Sequence, residues 1–130
     1  MQLDKLCVAC FSPTHTSMKI ARAIADGTHI ARREEIDLTT DPADTPIAVR
    51  NAICIVAAPV YGGLVAPVAV RRIARLRAEN SIAIPVVVYG NRDYEDALVQ
   101  LRDLLYAQGF TPLCGAAFVA DTPTAVRACP

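Results

Sequence analysis

Continuous apolar runs alternate along the chain with segments of helical spacing. Residues 3–11 form a largely apolar run, residues 52–58 and 84–89 form continuous ones, and each run is followed within two residues by proline or glycine. Short continuous runs of this kind are typical of strands buried on both faces of a sheet. Residues 29–37 alternate only weakly and predict an edge strand, and residues 113–120 predict a last strand.

Helical spacing follows the first run. In residues 16–26, Ile20 and Ile24 lie on one stripe, Arg22 lies on the opposite side, and Gly27 supplies the stop. The pattern predicts an amphipathic helix that packs on the sheet.

A second helix is predicted to begin at Pro67 and to turn Val70, Ile73 and Leu76 inward. Its other side carries Arg71, Arg72, Arg75 and Arg77. We interpret these arginines as a solvated face with pairs such as Arg75–Glu79, or as a surface that docks a partner.

A third helix is predicted from Asp93, as its N-cap, through Gln108, with Gly109 as its stop. Residues 41–46 are too rich in proline for a full helix, so one connecting helix is expected to be short or missing.

The order of these elements predicts an α/β domain over residues 1–130, with a parallel sheet and helices on both faces. Only residues 121–130 follow the last strand, and they hold two prolines and little periodicity. We therefore expect the final helix of a doubly wound sheet to be lacking. Either that edge is bare, or the sequence is a fragment whose continuation covers it.

Charge and length exclude some functions. The chain has 130 residues, with 13 basic side chains balancing 13 acidic ones, so a strong positive field toward nucleic acid or anionic lipid is not expected. The apolar runs fall short of the ~20 residues that span a bilayer, and Asp4 and Lys5 break any signal-peptide pattern. These features predict a cytoplasmic protein.

The cysteines are predicted to be mainly structural. Most lie in or beside apolar runs, where thiols behave as small hydrophobes. Cys7 and Cys10 have the spacing of a redox or metal pair, but residues three apart on a strand point to opposite faces. The role of Cys129 is left open.

Loops at the carboxyl ends of parallel strands are where such sheets bind ligands. The first loop contains four hydroxyls, from Ser12, Thr14, Thr16 and Ser17. Hydroxyls and backbone N–H groups before a helix suit a phosphate, but the same residues are common in turns and N-caps. His15 is expected to adopt a left-handed backbone conformation, which histidine tolerates, or, less readily, to act as a general base.

The next two loops pair aromatic residues with glycine. They read Pro59-Val60-Tyr61-Gly62-Gly63 and Gly90-Asn91-Arg92-Asp93-Tyr94. Two tyrosines beside a phosphate-sized pocket suggest a flat, phosphorylated aromatic ligand. The chain lacks the glycine motifs of nucleoside triphosphatases and dinucleotide-binding proteins.

Together these loops resemble the flavodoxin family, over most of residues 3–120. Residues 12–17 look like the family's hydroxyl-rich phosphate loop, and residues 90–96 look like its second flavin loop. More narrowly, residues 11–14, 59–63 and 89–92 are similar to the flavodoxin half of proteins that join this domain to a ferredoxin-type iron–sulfur module. His15 stands where many flavodoxins have glycine.

The resemblance implies a five-stranded doubly wound sheet of order 2-1-3-4-5 and flavin mononucleotide (FMN) as cofactor, with Tyr94 stacked on the ring. It assigns no catalytic residue and no metal ligand. The implied cofactor-binding residues are Ser12, Thr14, His15, Thr16, Ser17, Pro59, Val60, Tyr61, Gly62, Gly63, Gly90, Asn91, Arg92 and Tyr94.

Three functions remain in competition. The leading hypothesis is a carrier that exchanges single electrons with a redox partner protein or a fused ferredoxin-type iron–sulfur domain. The first alternative is an FMN-dependent reductase that passes a hydride from a nicotinamide to a quinone-type acceptor. The second is a flavodoxin-like interaction module without redox activity.

Overall fold

A computed structural model describes residues 5–12, 16–39, 45–61, 63–89, 95–113, 115–119 and 122–129 of the chain. Its elements, in chain order, are β1 (Lys5–Cys10), α1 (Thr16–Gly27), β2 (Arg33–Asp37), β3 (Ile47–Arg50), β4 (Ala52–Tyr61), β5 (Leu64–Val65), α2 (Pro67–Ile73), β6 (Leu76–Glu79), β7 (Ile82–Tyr89), α3 (Glu95–Ala107), β8 (Thr111–Pro112), β9 (Gly115–Val119) and β10 (Thr122–Cys129).

The main sheet is built on five parallel strands in the order β2-β1-β4-β7-β9. Numbered among themselves along the chain, these strands follow the order 2-1-3-4-5, which confirms the predicted topology. The short strands β5 and β8 pair with β4 and β7. The edge strand β2 is largely exposed, as its weak alternation predicted.

The edge beyond β9 is not bare. Strand β10 pairs with β9 in antiparallel orientation, with Ala128 opposite Ala116. Within the described residues, β9 is therefore followed by a strand and not by a helix. The chain's own residues cover the edge that the sequence predicted to be either bare or covered by a continuation of the chain, because an antiparallel strand needs only a short connection.

The connection between β2 and β4 holds a strand in its described part. This strand, β3, pairs in parallel with β6 to form a separate two-stranded sheet. Asn51 and Asn80 follow the two strands with φ of 54° and 50°, a left-handed conformation that asparagine tolerates. The Nδ2 of Asn80 donates to the Oδ1 of Asn51 at 2.7 Å, so both segments turn into the main sheet at the same point.

Helix α2 begins at Pro67 as predicted, but it ends at Ile73, so Leu76 lies on β6. Arg75 is 7% exposed, and its Nε donates to the Thr45 carbonyl at 3.0 Å. The prediction of an outward row of arginines is therefore wrong at this position.

The prediction of an Arg75–Glu79 ion pair is also wrong. The partner of Glu79 is Arg50, with 3.4 Å between Nε and Oε2. Arg72 is only partly exposed and donates to backbone carbonyls after β2, whereas Arg71 is exposed. The four arginines do not form one docking surface.

The two faces of the sheet have separate cores. On one face, Ile20 and Ile24 of α1 pack with the Cys10 side of β1, as the helical stripe predicted. On the other, α2, α3 and the β3–β6 sheet pack with the Cys7 side. The two cysteines thus point to opposite faces, as predicted. None of the helices in the described part of the chain has the length and apolar character to span a bilayer.

Candidate ligand site

The candidate site lies where β1, β4 and β7 end. Cys10 pairs with Ala57 across β1 and β4, and Pro59 pairs with Val88 across β4 and β7. Because neighbouring strands lie ~4.8 Å apart, the three strand ends span about 10 Å. The three predicted loops are therefore attached to adjacent strands at the same, carboxyl end of the sheet.

Ser12 closes the end of β1 through two hydrogen bonds. Its N–H donates to the Oγ1 of Thr39 at 2.8 Å. Its own Oγ accepts the N–H of Met18, in the first turn of α1, at 3.1 Å. This is the capping role that the sequence left open beside phosphate binding. The two roles are compatible, because a hydroxyl that accepts one bond still has a proton to donate.

The first turn of α1 faces the same edge. The helix begins at Thr16, as expected, and Ser17 is buried within its first turn. The first N–H groups of a helix have no carbonyl partners inside the helix, and its dipole makes this end partially positive. Hydroxyls and amide N–H groups form a donor set that fits a phosphate.

The second predicted loop is a strand end and a hairpin. Strand β4 continues through Pro59 and Val60 to Tyr61, which pairs with Leu64 of β5. Gly63 in the turn has a φ of +85°, which glycine adopts without strain. The sequence predicted a loop here because proline is rare inside sheets, but strand ends accept it.

The remaining predicted site residues lie outside the described residues. They are Thr14, His15, Gly62, Gly90, Asn91, Arg92 and Tyr94. Their assignment to the site remains a prediction, as does the ring-stacking role of Tyr94.

Two residues that position the site were missed by the sequence analysis. Thr39 accepts the N–H of Ser12, and Gln100 of α3 accepts the N–H of Val65 through Oε1 at 2.8 Å. Asp37, at a strand end two residues before Thr39, is a turn signal that could have identified Thr39. No local signal marked Gln100, because its partner is 35 residues away in the chain.

The buried thiols of β1 and β4 are not activated. Burial raises the pKa of the Cys10 thiol to about 12. A hydrogen bond with Cys7, together with burial, raises the pKa of Cys54 as well. Because the thiolate is the reactive form, these groups are not nucleophiles at neutral pH. They act as packing residues, as predicted.

No protein-family description and no curated protein matches the chain. Several solved structures do. Rubredoxin oxygen:oxidoreductase of Desulfovibrio gigas is 18% identical with a TM-score of 0.67, covering 95% of this chain and 32% of that one. This chain thus spans about a third of the length of that protein.

Two shorter proteins are also similar. An NADH:FMN oxidoreductase in its apo form is 18% identical with a TM-score of 0.67, covering 90% of this chain and 76% of that one. A Fusobacterium nucleatum flavodoxin bound to FMN is 10% identical with a TM-score of 0.60, covering 84% and 68%. These similarities show that the fold is flavodoxin-like.

Proposed function

We propose that this protein binds FMN at the carboxyl ends of β1, β4 and β7 and carries electrons. The observation that carries the proposal is the placement of a hydroxyl-lined helix start and a glycine hairpin on adjacent strand ends. The flavodoxin-like neighbours support it, since one of them is bound to FMN and another is an NADH:FMN oxidoreductase.

The phosphate end of the ligand fits the start of α1. Ser12 and Thr16 supply hydroxyls there, and the first turn supplies amide N–H groups and the positive end of the helix dipole. Neutral donors of this kind hold a phosphate without a basic side chain. The neutral net charge of the chain is consistent with such a site.

The ring end of the ligand fits the hairpin. Gly63 lets the backbone come close to a flat group, and Gln100 holds β5 in place from α3. We assign Tyr61, Gly62 and the 90–94 loop to the same end. When bound, FMN supplies a ring that takes up and releases electrons, while the protein binds it, orients it and limits its contact with water.

The first test is binding. Purified protein should bind FMN in a one-to-one complex, with the visible absorption and quenched fluorescence of a bound flavin. Thr16→Val should weaken FMN about tenfold, the equivalent of one hydrogen bond to a charged group, and should leave riboflavin, which lacks the phosphate, nearly unaffected.

Thr28→Val is the matched control for Thr16→Val. Thr28 lies just beyond the other end of α1, where its Oγ1 donates to the Ala25 carbonyl at 2.7 Å. This variant should bind FMN like the wild type. Failure of the wild type to bind FMN would overturn the proposed function.

The partner we propose is an iron–sulfur protein or domain. The support is the resemblance of the three loops to flavodoxin–ferredoxin fusion proteins, together with a neighbour named as an oxidoreductase of rubredoxin and oxygen. The flavin-loaded protein, reduced chemically without oxygen, should pass electrons to an oxidised ferredoxin or rubredoxin and bleach its visible absorption. No bleaching of either would contradict this choice of partner.

A reductase is the second candidate, favoured by the similarity to the NADH:FMN oxidoreductase over 90% of this chain. A reductase would oxidise NADH or NADPH in the presence of a quinone with no further protein added. A carrier would not, because it must receive its electrons from another protein. Steady oxidation of either nicotinamide, followed at its near-ultraviolet absorption, would replace the carrier with the reductase.

A further inference from the structure

A chain of hydrogen bonds holds the end of β1. It runs from Arg72 of α2, on the Cys7 face of the sheet, through Thr39 to Ser12, which bonds to α1 on the Cys10 face. Ser12 is 3% exposed, so its N–H has little access to water and depends on the hydroxyl of Thr39. A buried N–H that loses its acceptor keeps the full cost of its lost hydration, which favours another backbone orientation. The start of the 12–17 loop is therefore sensitive to the position of Thr39.

Thr39 is itself fixed from two sides. Its N–H donates to the Oδ1 of Asp37 at 2.8 Å, which folds the end of β2 into a tight turn. Its carbonyl accepts a hydrogen bond from Arg72 at 3.1 Å, and the same guanidinium nitrogen donates to the Leu38 carbonyl at 2.9 Å. The segment 37–39 is thus tied both to its own strand and to α2.

Arg72 brings this contact from a helix that covers the Cys7 face, whereas α1 covers the Cys10 face. Its neighbour Arg71 belongs to the same helix, carries the same charge and is exposed. Arg71 therefore serves as a matched control for the charge and for the helical propensity.

We propose that Thr39 and Arg72 are positioning residues that set the backbone of the 12–17 loop for the phosphate of the ligand. The proposal rests on the function proposed above and deepens it. Neither residue needs to contact the phosphate. Arg72 fixes the carbonyls of residues 38 and 39, Thr39 fixes the amide of Ser12, and the Ser12 hydroxyl joins the loop to the first turn of α1.

The test compares FMN with riboflavin in four variants. Thr39→Val removes the acceptor at nearly constant shape and should weaken FMN at least tenfold while changing riboflavin less than twofold. Thr39→Ser keeps a hydroxyl and should restore most of the FMN affinity. Arg72→Gln should weaken FMN about threefold, and Arg71→Gln should leave both affinities unchanged. Isothermal titration or fluorescence quenching measures all four.

A second measurement uses the apoprotein. The amide of Ser12 should exchange with deuterium faster in Thr39→Val and in Arg72→Gln than in the wild type, Thr39→Ser and Arg71→Gln. Circular dichroism checks that each variant is folded. If Thr39→Val does not fold, Arg72→Gln is the variant that tests the proposal.

The outcomes separate the two proposals. If the wild type binds no FMN, the proposed function fails, and with it the role toward phosphate. If the wild type binds FMN but Thr39→Val and Arg72→Gln weaken FMN and riboflavin equally, or leave the Ser12 amide exchange unchanged, only the positioning role is overturned.

Discussion

The two faces of the sheet are covered in different ways. On the Cys10 face, within the described residues, the single helix α1 covers the strands, and its Arg22 stays exposed and pairs with the Glu35 carboxylate. On the Cys7 face, the cover is shared among α2, α3 and the β3–β6 sheet, and Arg75 is buried against a backbone carbonyl. A cover built from several elements has many backbone ends, and buried ends need polar partners.

Because their covers differ in this way, the two faces should tolerate substitution unequally. A single amphipathic helix depends mainly on its apolar stripe, so changes away from the stripe should be mild. A composite cover depends on close backbone approaches and on side chains that bond the backbone. The same type of substitution should therefore cost much more on the Cys7 face.

Glycine substitution should give the largest contrast. At Gly109, φ is +97° and a Cβ would lie 2.4 Å from the Ala78 carbonyl oxygen of β6. Gly109→Ala must therefore both strain the backbone and push β6 from α3. We expect a loss of about 3 kcal/mol or more in the free energy of unfolding, measured by urea denaturation.

Gly27→Ala is the matched control on the other face. A Cβ at Gly27, the last residue of α1, has no neighbouring atom within 4 Å. Because alanine favours helix over glycine, this variant should be unchanged or more stable by up to about 1 kcal/mol. Equal losses at the two glycines would refute the contrast between the faces.

Arginine substitution should give an intermediate effect. Arg75→Met keeps much of the side-chain volume but leaves the Thr45 carbonyl without its charged donor. We expect a loss of about 2 kcal/mol in unfolding free energy. Arg71→Met, at an exposed position two residues before the end of α2, should stay close to the wild type. A wild-type urea midpoint for Arg75→Met would show that the buried guanidinium does not hold the β2–β3 connection.

The same contrast explains how much could be predicted from the sequence. The buried parallel strands and helix α1 were predictable, because continuous apolar runs and a stripe such as Ile20 and Ile24 are local patterns. The strand order 2-1-3-4-5 came from the resemblance to the flavodoxin family and not from these patterns. The early end of α2 and the burial of Arg75 were not, because both depend on the pairing of β3 with β6. Non-local pairing leaves no periodic signature in either segment.

The candidate site divides in the same way. Ser12, Thr16 and Gly63 carry local signals, a hydroxyl cluster and a glycine pair, and the structure places them in the segments that follow the adjacent strands β1 and β4. Thr39 and Gln100 act on the site from 27 and 35 residues away in the chain, through contacts that only the fold creates. Sequence patterns thus indicate where the candidate site lies, whereas the residues that support its loops require the structure.

The smallest effect is expected for the ion pair on the Cys10 face. The Nε and an Nη of Arg22 donate to the two carboxylate oxygens of Glu35 at 3.0 and 2.9 Å, and this hydrogen bonding lowers the pKa of Glu35. Both side chains are substantially exposed, with 54% of Arg22 and 35% of Glu35 accessible. Water and salt therefore screen the pair, and Arg22→Gln should leave the urea midpoint at pH 7 close to the wild-type value.

The stability difference between the wild type and Arg22→Gln should depend on pH in one direction. A carboxylate whose pKa is lowered by folding adds stability above its ordinary pKa, about 4.3, and this contribution is lost as the pH falls through the lowered value. Any difference between wild type and Arg22→Gln should thus be present at pH 7 and vanish below that range. In Arg22→Gln, the pKa of Glu35 should rise toward its ordinary value, as measured by NMR titration of the carboxyl carbon. An unchanged Glu35 pKa, or a stability difference that grows on acidification, would show that Arg22 acts on this face by a route other than the ion pair.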